Sequence, residues 1–517
     1  MAVNAFLAAQ KFVEDPFQST NAGEEPKLER YFVPPPYFSS VLGDADNPKS
    51  QVILAPRGGG KTAQRVMIEK SSESQAFLCA TYDDFPISTK FSLNDATLDY
   101  HLKNIATLIL LGILFELDRQ PQKIAKLSDQ DKQILKFQIE RFLGTFSAEE
   151  FERALKSLKN FGDKANDLWN KYGGKIAALI NAFIAKYGFG AIDATQLKFD
   201  DSKRDEQLKF HIRRQVEIAK KCGLRSIYIL IDRVDETVLT GADARQSFAL
   251  VRSLISDLPT LETKGIAFKF FLWDKLKDEY VSHGARPDRI KIFELNWKTA
   301  ELEKMLSERL REYSHGVHSS FNSLTDTQDL NTHRLVAWLG AGSPRDMIRV
   351  CGRIVDEHTR SDPISPTIPK ETIFRGIQTF AQERAEELFG NSFIQLKKLA
   401  TATFTVNQLA SDVLRISVQA ARNRIGPWQN SGAIKKIDEI ENQGSRPLHL
   451  YGVSDLRLLI ALFPKIEINQ LLENWAYVCP SCGTVVISDR KELVCECGER
   501  IQATHAQSLL SECKLRS

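Results

Sequence analysis

The run Ala55-Pro56-Arg57-Gly58-Gly59-Gly60-Lys61-Thr62 has the residue types needed to hold a chain of phosphates. Gly58 to Gly60 let the backbone turn its amide hydrogens inward, Lys61 can reach the β and γ phosphates, and Thr62 offers a hydroxyl to Mg²⁺. The pattern G-x-x-x-x-G-K-[ST] is met at every position but the first, where Ala55 replaces glycine. The expected binding segment is therefore Arg57, Gly58, Gly59, Gly60, Lys61, Thr62 and Ala63. A glycine turn that merely joins a strand to a helix is the alternative. A second acid is needed for the metal, and the apolar run Ile227 to Ile231 ends in Asp232. A bare carboxylate at the end of a strand covered on both faces is costly to desolvate unless it meets a cation, so Asp232 is read as the Mg²⁺-side acid. Asp235 and Glu236 follow within one turn; Glu236 is favoured to orient an attacking water and Asp235 stands close behind. An acidic helix start that complements its own dipole explains these two equally simply.

These groups need a scaffold, and the flanking pattern supplies one. Strand signals at Gln51–Ala55, Ala76–Thr81, Ser226–Ile231, Ile266–Trp273 and Ile290–Leu295 alternate with helical stretches such as Ala63–Lys70 and Asp243–Leu258. Strands alternating with helices imply an α/β fold with a parallel sheet. A helical insertion of about 93–221 interrupts it. At about 150 residues per domain, 517 residues imply roughly three domains. The expected division is an ATPase core at 1–298, a helical lid at 299–390, a winged helix-turn-helix at 391–464 and a zinc ribbon at 465–517. Ser361 to Pro369, with three prolines, is the best linker. Lys+Arg 69 against Asp+Glu 66 leaves a formal +3, so any basic surface must be local. Hydrophobic residues at 43% exclude a disordered or low-complexity class. Ile105 to Leu117 falls short of the roughly 20 residues that cross a bilayer, and Lys175 to Ile184 is shorter, so both are expected to be buried helices. With no secretory signal at the start, the expectation is a cytoplasmic protein without membrane contact.

Near the C-terminus, Thr405 to Leu414 and Val418 to Ile425 read as two short helices joined by a tight turn. Gln419, Arg422, Asn423 and Arg424 on the second are types that bond to base edges or phosphates. Lys435 and Lys436 follow, then Ile437–Ile440, a turn at Asn442–Arg446 and a return strand Leu448–Val453, together a wing. Double-stranded DNA is the expected partner; a protein contact is the alternative, and Asp438, Glu439 and Glu441 weigh against a broad phosphate footprint. Cys479-x-x-Cys482 and Cys495-x-Cys497, twelve residues apart, can close a tetrahedral Zn²⁺ site. Val485–Ile487 and Glu492–Val494 are expected to form the hairpin between them. Because the second knuckle is C-x-C, His505 or Cys513 stays open as a replacement ligand.

Ala55 to Thr62, Asp232 to Glu236 and Gly342-Ser343-Pro344-Arg345-Asp346 together resemble the bacterial P-loop ATPases of the AAA+ and STAND grade, including origin-recognition-type ATPases. The resemblance implies ATP with Mg²⁺ as the ligand, and gives Arg345 the role of the lid arginine that touches the γ-phosphate. It also implies a nucleotide-dependent homo-oligomer, for which Arg286 and Arg289 are candidate fingers across a subunit contact; surface pairing with Asp288 is the favoured reading of these two arginines. A winged helix often follows such lids, and the grade is common in antiviral defence and mobile-element loci, where an effector protein would be a further partner. Two departures matter. Arg233 follows Asp232 where the grade carries Glu, which points to slow turnover, and the helical insertion has no counterpart. The competing reading is a nucleotide-gated scaffold that binds ATP with little hydrolysis.

Overall fold

The computed structural model describes residues 4–87, 89–143, 148–158, 204–241, 243–362, 364–440 and 447–515. Lys175–Ile184 and the turn at Asn442–Arg446 lie outside these residues. The chain divides into two compact units, Pro34–Asn296 and a second made of Met1–Val33 with Trp297–Ser517.

The first unit is built on a five-stranded sheet of β1 (Gln51–Ala55), β2 (Leu78–Tyr82), β3 (Ile227–Ile231), β4 (Ile266–Trp273) and β5 (Lys291–Glu294), in the order β2-β3-β4-β1-β5. Every pairing in it is parallel. All residues of β1, β2 and β3 are buried, which is why these strands read as unbroken apolar runs; β5, at the edge, is exposed at both Lys291 and Glu294. The second strand begins at Leu78, two residues later than expected, because Ala76 takes φ +55 and turns the chain before it enters the sheet. Parallel pairing puts the carboxyl ends of β1, β4 and β3 side by side, the edge at which open α/β sheets bind ligands.

The described parts of the insertion are helical, chiefly Leu98–Arg119, Asp129–Gln138 and Arg204–Lys221. The 22-residue helix Leu98–Arg119 is long and apolar enough to cross a membrane by length and composition, yet 72% of its most apolar window is buried within the protein. It lies so close to β2 that a Cβ on Gly112 would sit 2.6 Å from Leu78 Cδ1. Gln215 ties the neighbouring helix to it, its Nε2 donating to Ala106 O at 2.9 Å.

In the second unit the expected lid helices appear at Thr299–Tyr313, Thr332–Leu339, Pro344–Ser361 and Lys370–Phe389. One boundary differs: residues up to 33, placed by pattern in the ATPase core, group with this unit instead. Their anchor is Arg309, whose buried guanidinium donates to Pro16 O at 2.5 Å, Ser19 O at 3.0 Å and Glu25 Oε2 at 2.9 Å. A buried guanidinium needs several acceptors, and among the described residues this N-terminal segment supplies them. Beyond the lid, a helix-turn-helix is followed by β7 (Ile434–Ile440) and β8 (Leu448–Val453), which form an antiparallel sheet with β6 (Thr403–Thr405) in the order β6-β8-β7. The cysteine region then makes β9 (Ala476–Val478), β10 (Val485–Ile487), β11 (Glu492–Val494), β12 (Arg500–Gln502) and β13 (Gln507–Ser508).

Candidate nucleotide site, metal centre and recognition helix

Gly58 and Gly60 take φ +76 and +94, left-handed values that any side chain would strain, so the loop after β1 owes its shape to them. A Cβ on Gly59 would lie 2.9 Å from Pro56 O. Helix Lys61–Ser74 starts at once, and its first-turn amides, those of Lys61, Thr62 and Ala63, have no acceptor within the helix. Thr62 Oγ1 donates to Asp232 Oδ2 at 3.1 Å, joining the loop to the end of β3 across the intervening β4. The hydroxyl and carboxylate form a hard-oxygen pair of the kind Mg²⁺ accepts, so the donor set fits.

The cation beside Asp232 is one that spacing alone did not single out. Arg65 Nε donates to Asp232 Oδ2 at 2.9 Å, its Nη1 bonds Glu69, and Glu69 in turn accepts from Thr81 on β2. Asp232 Oδ1 accepts from the Arg233 amide at 2.9 Å. The Arg65 side chain is 1% exposed; burial opposes its charge, but Glu69 and Asp232 outweigh that and hold the guanidinium above its ordinary range. Thr62, Arg65 and Glu69 are spaced i, i+3, i+7 on one helix face, a signal that was present in the sequence.

Lys61 Nζ donates to Ala55 O at 3.0 Å and Pro56 O at 3.2 Å, and burial draws its ammonium down against the carboxylates of Asp235, Asp232 and Asp274. Arg57, the other loop cation, donates from Nε to Asp235 Oδ2 at 2.8 Å and from Nη2 to Asp235 O at 3.0 Å, with its guanidinium 4.6 Å from the Trp273 ring centre. The two candidate acids are thereby distinguished. Asp235 is buried against the loop, whereas Glu236, the favoured one by pattern, is exposed and sits 3.6 Å from Arg233. The reason is local: Arg233 takes φ +57, which starts a short 3₁₀ turn and carries Asp235 inward and Glu236 out. Arg286 pairs with Asp288 at 2.8 Å and Arg289 bonds Glu262, so both finger candidates are engaged within the chain.

In the second unit, Ser343 caps helix Pro344–Ser361 by accepting from the Asp346 amide at 3.2 Å, with Pro344 in the first turn. Arg345 is exposed and makes no hydrogen bond or ion pair among the described residues. Its neighbour Asp346 is buried and receives Arg384 Nε at 3.0 Å and Arg457 Nη1 at 2.5 Å. Arg457 belongs to helix Leu456–Leu462, which follows β8, and also pairs with Asp455.

Cys479, Cys482, Cys495 and Cys497 bring their Sγ atoms within 4.8 Å of one another. Two of the separations are 3.7 Å (Cys479–Cys497) and 3.4 Å (Cys482–Cys495). Tetrahedral zinc with Zn–S of about 2.3 Å needs sulfurs roughly 3.8 Å apart, so the donor set fits. Hydrogen bonds from Thr484 pull the Cys482 thiol down to about 6, toward the thiolate that binds metal. His505 and Cys513 are not in the group; Cys513 lies where its carbonyl accepts from the Asn331 amide at 2.6 Å. The expected hairpin is corrected: β10 and β11 do not pair with each other. β10 pairs with β9 and β11 with β12, because each knuckle turn folds its own flanking strands back together.

The first helix of the helix-turn-helix runs from the cap Thr405 through Leu414, and the second, Val418–Asn430, is longer than expected. Gln419, Arg422 and Asn423 are exposed on it and Arg424 is half-buried; Gln419 Nε2 donates to Asn423 Oδ1 at 3.2 Å. Lys435 and Lys436 lie within β7, where Lys435 meets Glu496 at 2.8 Å and Lys436 meets Glu439. With Arg500 on Asp438 at 2.8 Å, the Lys435 pair ties the cysteine region to the wing.

No protein-family model matches the chain, and no curated protein matches it. Among solved structures, the chain is similar to the Aeropyrum pernix Orc1 protein in complex with DNA, at 10% identity and a TM-score of 0.38, over 88% of this chain and 98% of that one. It is also similar to Cdc6p from Pyrobaculum aerophilum, at 11% identity and a TM-score of 0.34, again over 88% and 98%.

Proposed function

We propose that this protein binds and hydrolyses ATP and uses the nucleotide state as a switch on DNA or partner binding. The observation that carries the reading is Thr62 Oγ1 at 3.1 Å from Asp232 Oδ2, at the mouth of a glycine loop that opens a helix. Lys61 and the loop amides take the β and γ phosphates, and Thr62 with Asp232 hold Mg²⁺, which when bound neutralises charge on the phosphate oxygens. Asp235, buried beside the loop, orients a water whose oxygen bonds the γ-phosphorus as the bond to the β,γ-bridging oxygen breaks. ADP keeps that electron pair, and the water's proton passes to Asp235 and then to solvent. The resemblance assigns Arg345, exposed at a helix start, the role of a phosphate-responsive arginine.

The cysteine quartet holds a structural Zn²⁺, since four sulfurs leave no position for water. Arg422, Gln419 and Arg424 on helix Val418–Asn430 face DNA, while Lys435 and Lys436 act mainly through their carboxylate partners. The Arg57–Asp235 pair favours the second reading, a nucleotide-gated scaffold with little turnover, because it occupies the acid that would orient water. Steady-state phosphate release with and without double-stranded DNA separates the two. Release that is lost in Lys61→Ala supports the hydrolytic switch; release that survives Lys61→Ala overturns the phosphate-loop assignment, and no release in either condition favours the scaffold.

A further inference from the structure

Both cations of the glycine loop are satisfied by the protein itself. Lys61 rests on the carbonyls of Ala55 and Pro56, and Arg57 grips Asp235 through both the carboxylate and the main-chain oxygen. The partners of Lys61 are carbonyl dipoles, which an anion displaces readily. Arg57 is different, because its partner is a full charge and one of the two acids available to orient water.

We infer that Arg57 is a triphosphate-dependent switch: it locks Asp235 when no terminal phosphate is present, and moves to the γ-phosphate when one arrives, releasing Asp235 to the attacking water. The inference rests on the nucleotide reading above and adds to it a residue, a ligand moiety and an order of events.

Four features of the site support the exchange. Arg57 lies inside the phosphate loop, directly before Gly58, so the guanidinium pivots from the segment that wraps the ligand. Its side chain is 40% exposed, so the guanidinium has an open side from which to leave the pair, and a terminal phosphate offers it two parallel bonds and a higher charge than one carboxylate. The Trp273 ring at 4.6 Å supports the guanidinium plane without supplying a competing anion. Asp235 is itself buried, so once Arg57 leaves, its carboxylate needs another hydrogen-bond donor, and a water supplies it. ADP lacks the γ-phosphate and leaves the lock in place, so the acid is engaged only when there is a bond to break.

The test is equilibrium binding of a β,γ-methylene ATP analogue and of ADP, each with Mg²⁺, to the full chain by calorimetry. Arg57→Ala is expected to weaken the analogue about tenfold and ADP by less than twofold. Asp235→Asn, which frees Arg57, is expected to tighten the analogue severalfold with little change for ADP, and that gain should vanish in Arg57→Ala/Asp235→Asn. Equal losses for both nucleotides in Arg57→Ala, or an Asp235→Asn gain that persists without Arg57, would overturn the switch. Because Asp235→Asn keeps the side-chain shape, it remains informative if Arg57→Ala folds poorly. Wild type that binds neither nucleotide would instead remove the phosphate-loop reading itself, so the two failures are distinct.

Discussion

Replacing Arg65 with methionine removes the one buried cation that joins Asp232 to Glu69. Arg65 and Asp232 are 1% and 2% exposed at the side chain and 2.9 Å apart, with Glu69 8% exposed on the other side of the guanidinium. Taking one partner from a buried pair costs about 3–5 kcal/mol, because the remaining charge stays desolvated. The lower end applies here: Asp232 keeps the Thr62 hydroxyl and the Arg233 amide, and Glu69 keeps Thr81. Methionine preserves most of the volume, so the cavity contribution is small. The expected loss is therefore about 3 kcal/mol, or roughly 6–12 °C in the transition of the first unit. Two units give no guarantee of a single transition, so the relevant one is identified as the step that ATP moves upward. Arg65→Met/Glu69→Gln should recover part of the loss by removing one stranded carboxylate. A drop below about 1 kcal/mol, the range of an exposed pair, would refute the buried network.

Three further outcomes follow from the same geometry. Burial pushes the Lys269 ammonium down to about 7, with Nζ donating to Lys49 O and Gln51 Oε1 at 2.8 Å each. Between pH 7 and about 10.4 the unfolded chain then holds a proton that the folded chain has lost, so this residue makes stability rise with pH across that window. The stability of Lys269→Met relative to wild type, read from urea midpoints, should fall from pH 6 to pH 9; a difference independent of pH would contradict a buried, neutralised lysine. Cys482→Ser should reduce bound zinc, measured by elemental mass spectrometry, from one ion per chain to well below one, and an unchanged content would count against the four-sulfur site. Arg422→Ala should weaken double-stranded DNA binding and lower the slope of log affinity against log salt by about 0.9 if it neutralises one phosphate; an unchanged slope would remove it from the contact surface.

How much was legible in the chain depended on the range of the interaction. The five strands could be read because a parallel sheet covered on both faces demands continuous apolar runs, as at Ile227–Ile231. The lid helices were readable from local caps and periodicity, as with Ser343 and Pro344. Asp232 was readable as an acid in need of a cation, but Arg65 was missed, although it stands on the same helix face as Thr62. Pattern favoured Glu236 over Asp235, since nothing in the residue types announces the left-handed turn at Arg233 that carries Asp235 inward and Glu236 out. The partner of Arg309 was beyond reach for a similar reason: nothing local says that a guanidinium will find its acceptors almost 300 residues away, at Pro16 and Ser19. In the cysteine region the ligands followed from spacing, while the strand pairing did not, because two short hairpins and one longer hairpin share the same apolar positions.

The central claim is that the loop at residues 58–62 and the carboxylate at Asp232 share one Mg²⁺–triphosphate. Calorimetric titration of the full chain with ATP, with and without Mg²⁺, tests it most directly when wild type, Lys61→Ala and Asp232→Ala are compared. The account predicts Mg²⁺-dependent saturable binding by wild type, its loss in Lys61→Ala, and binding in Asp232→Ala that no longer responds to Mg²⁺. Binding of equal strength in all three proteins, with or without the metal, would contradict it.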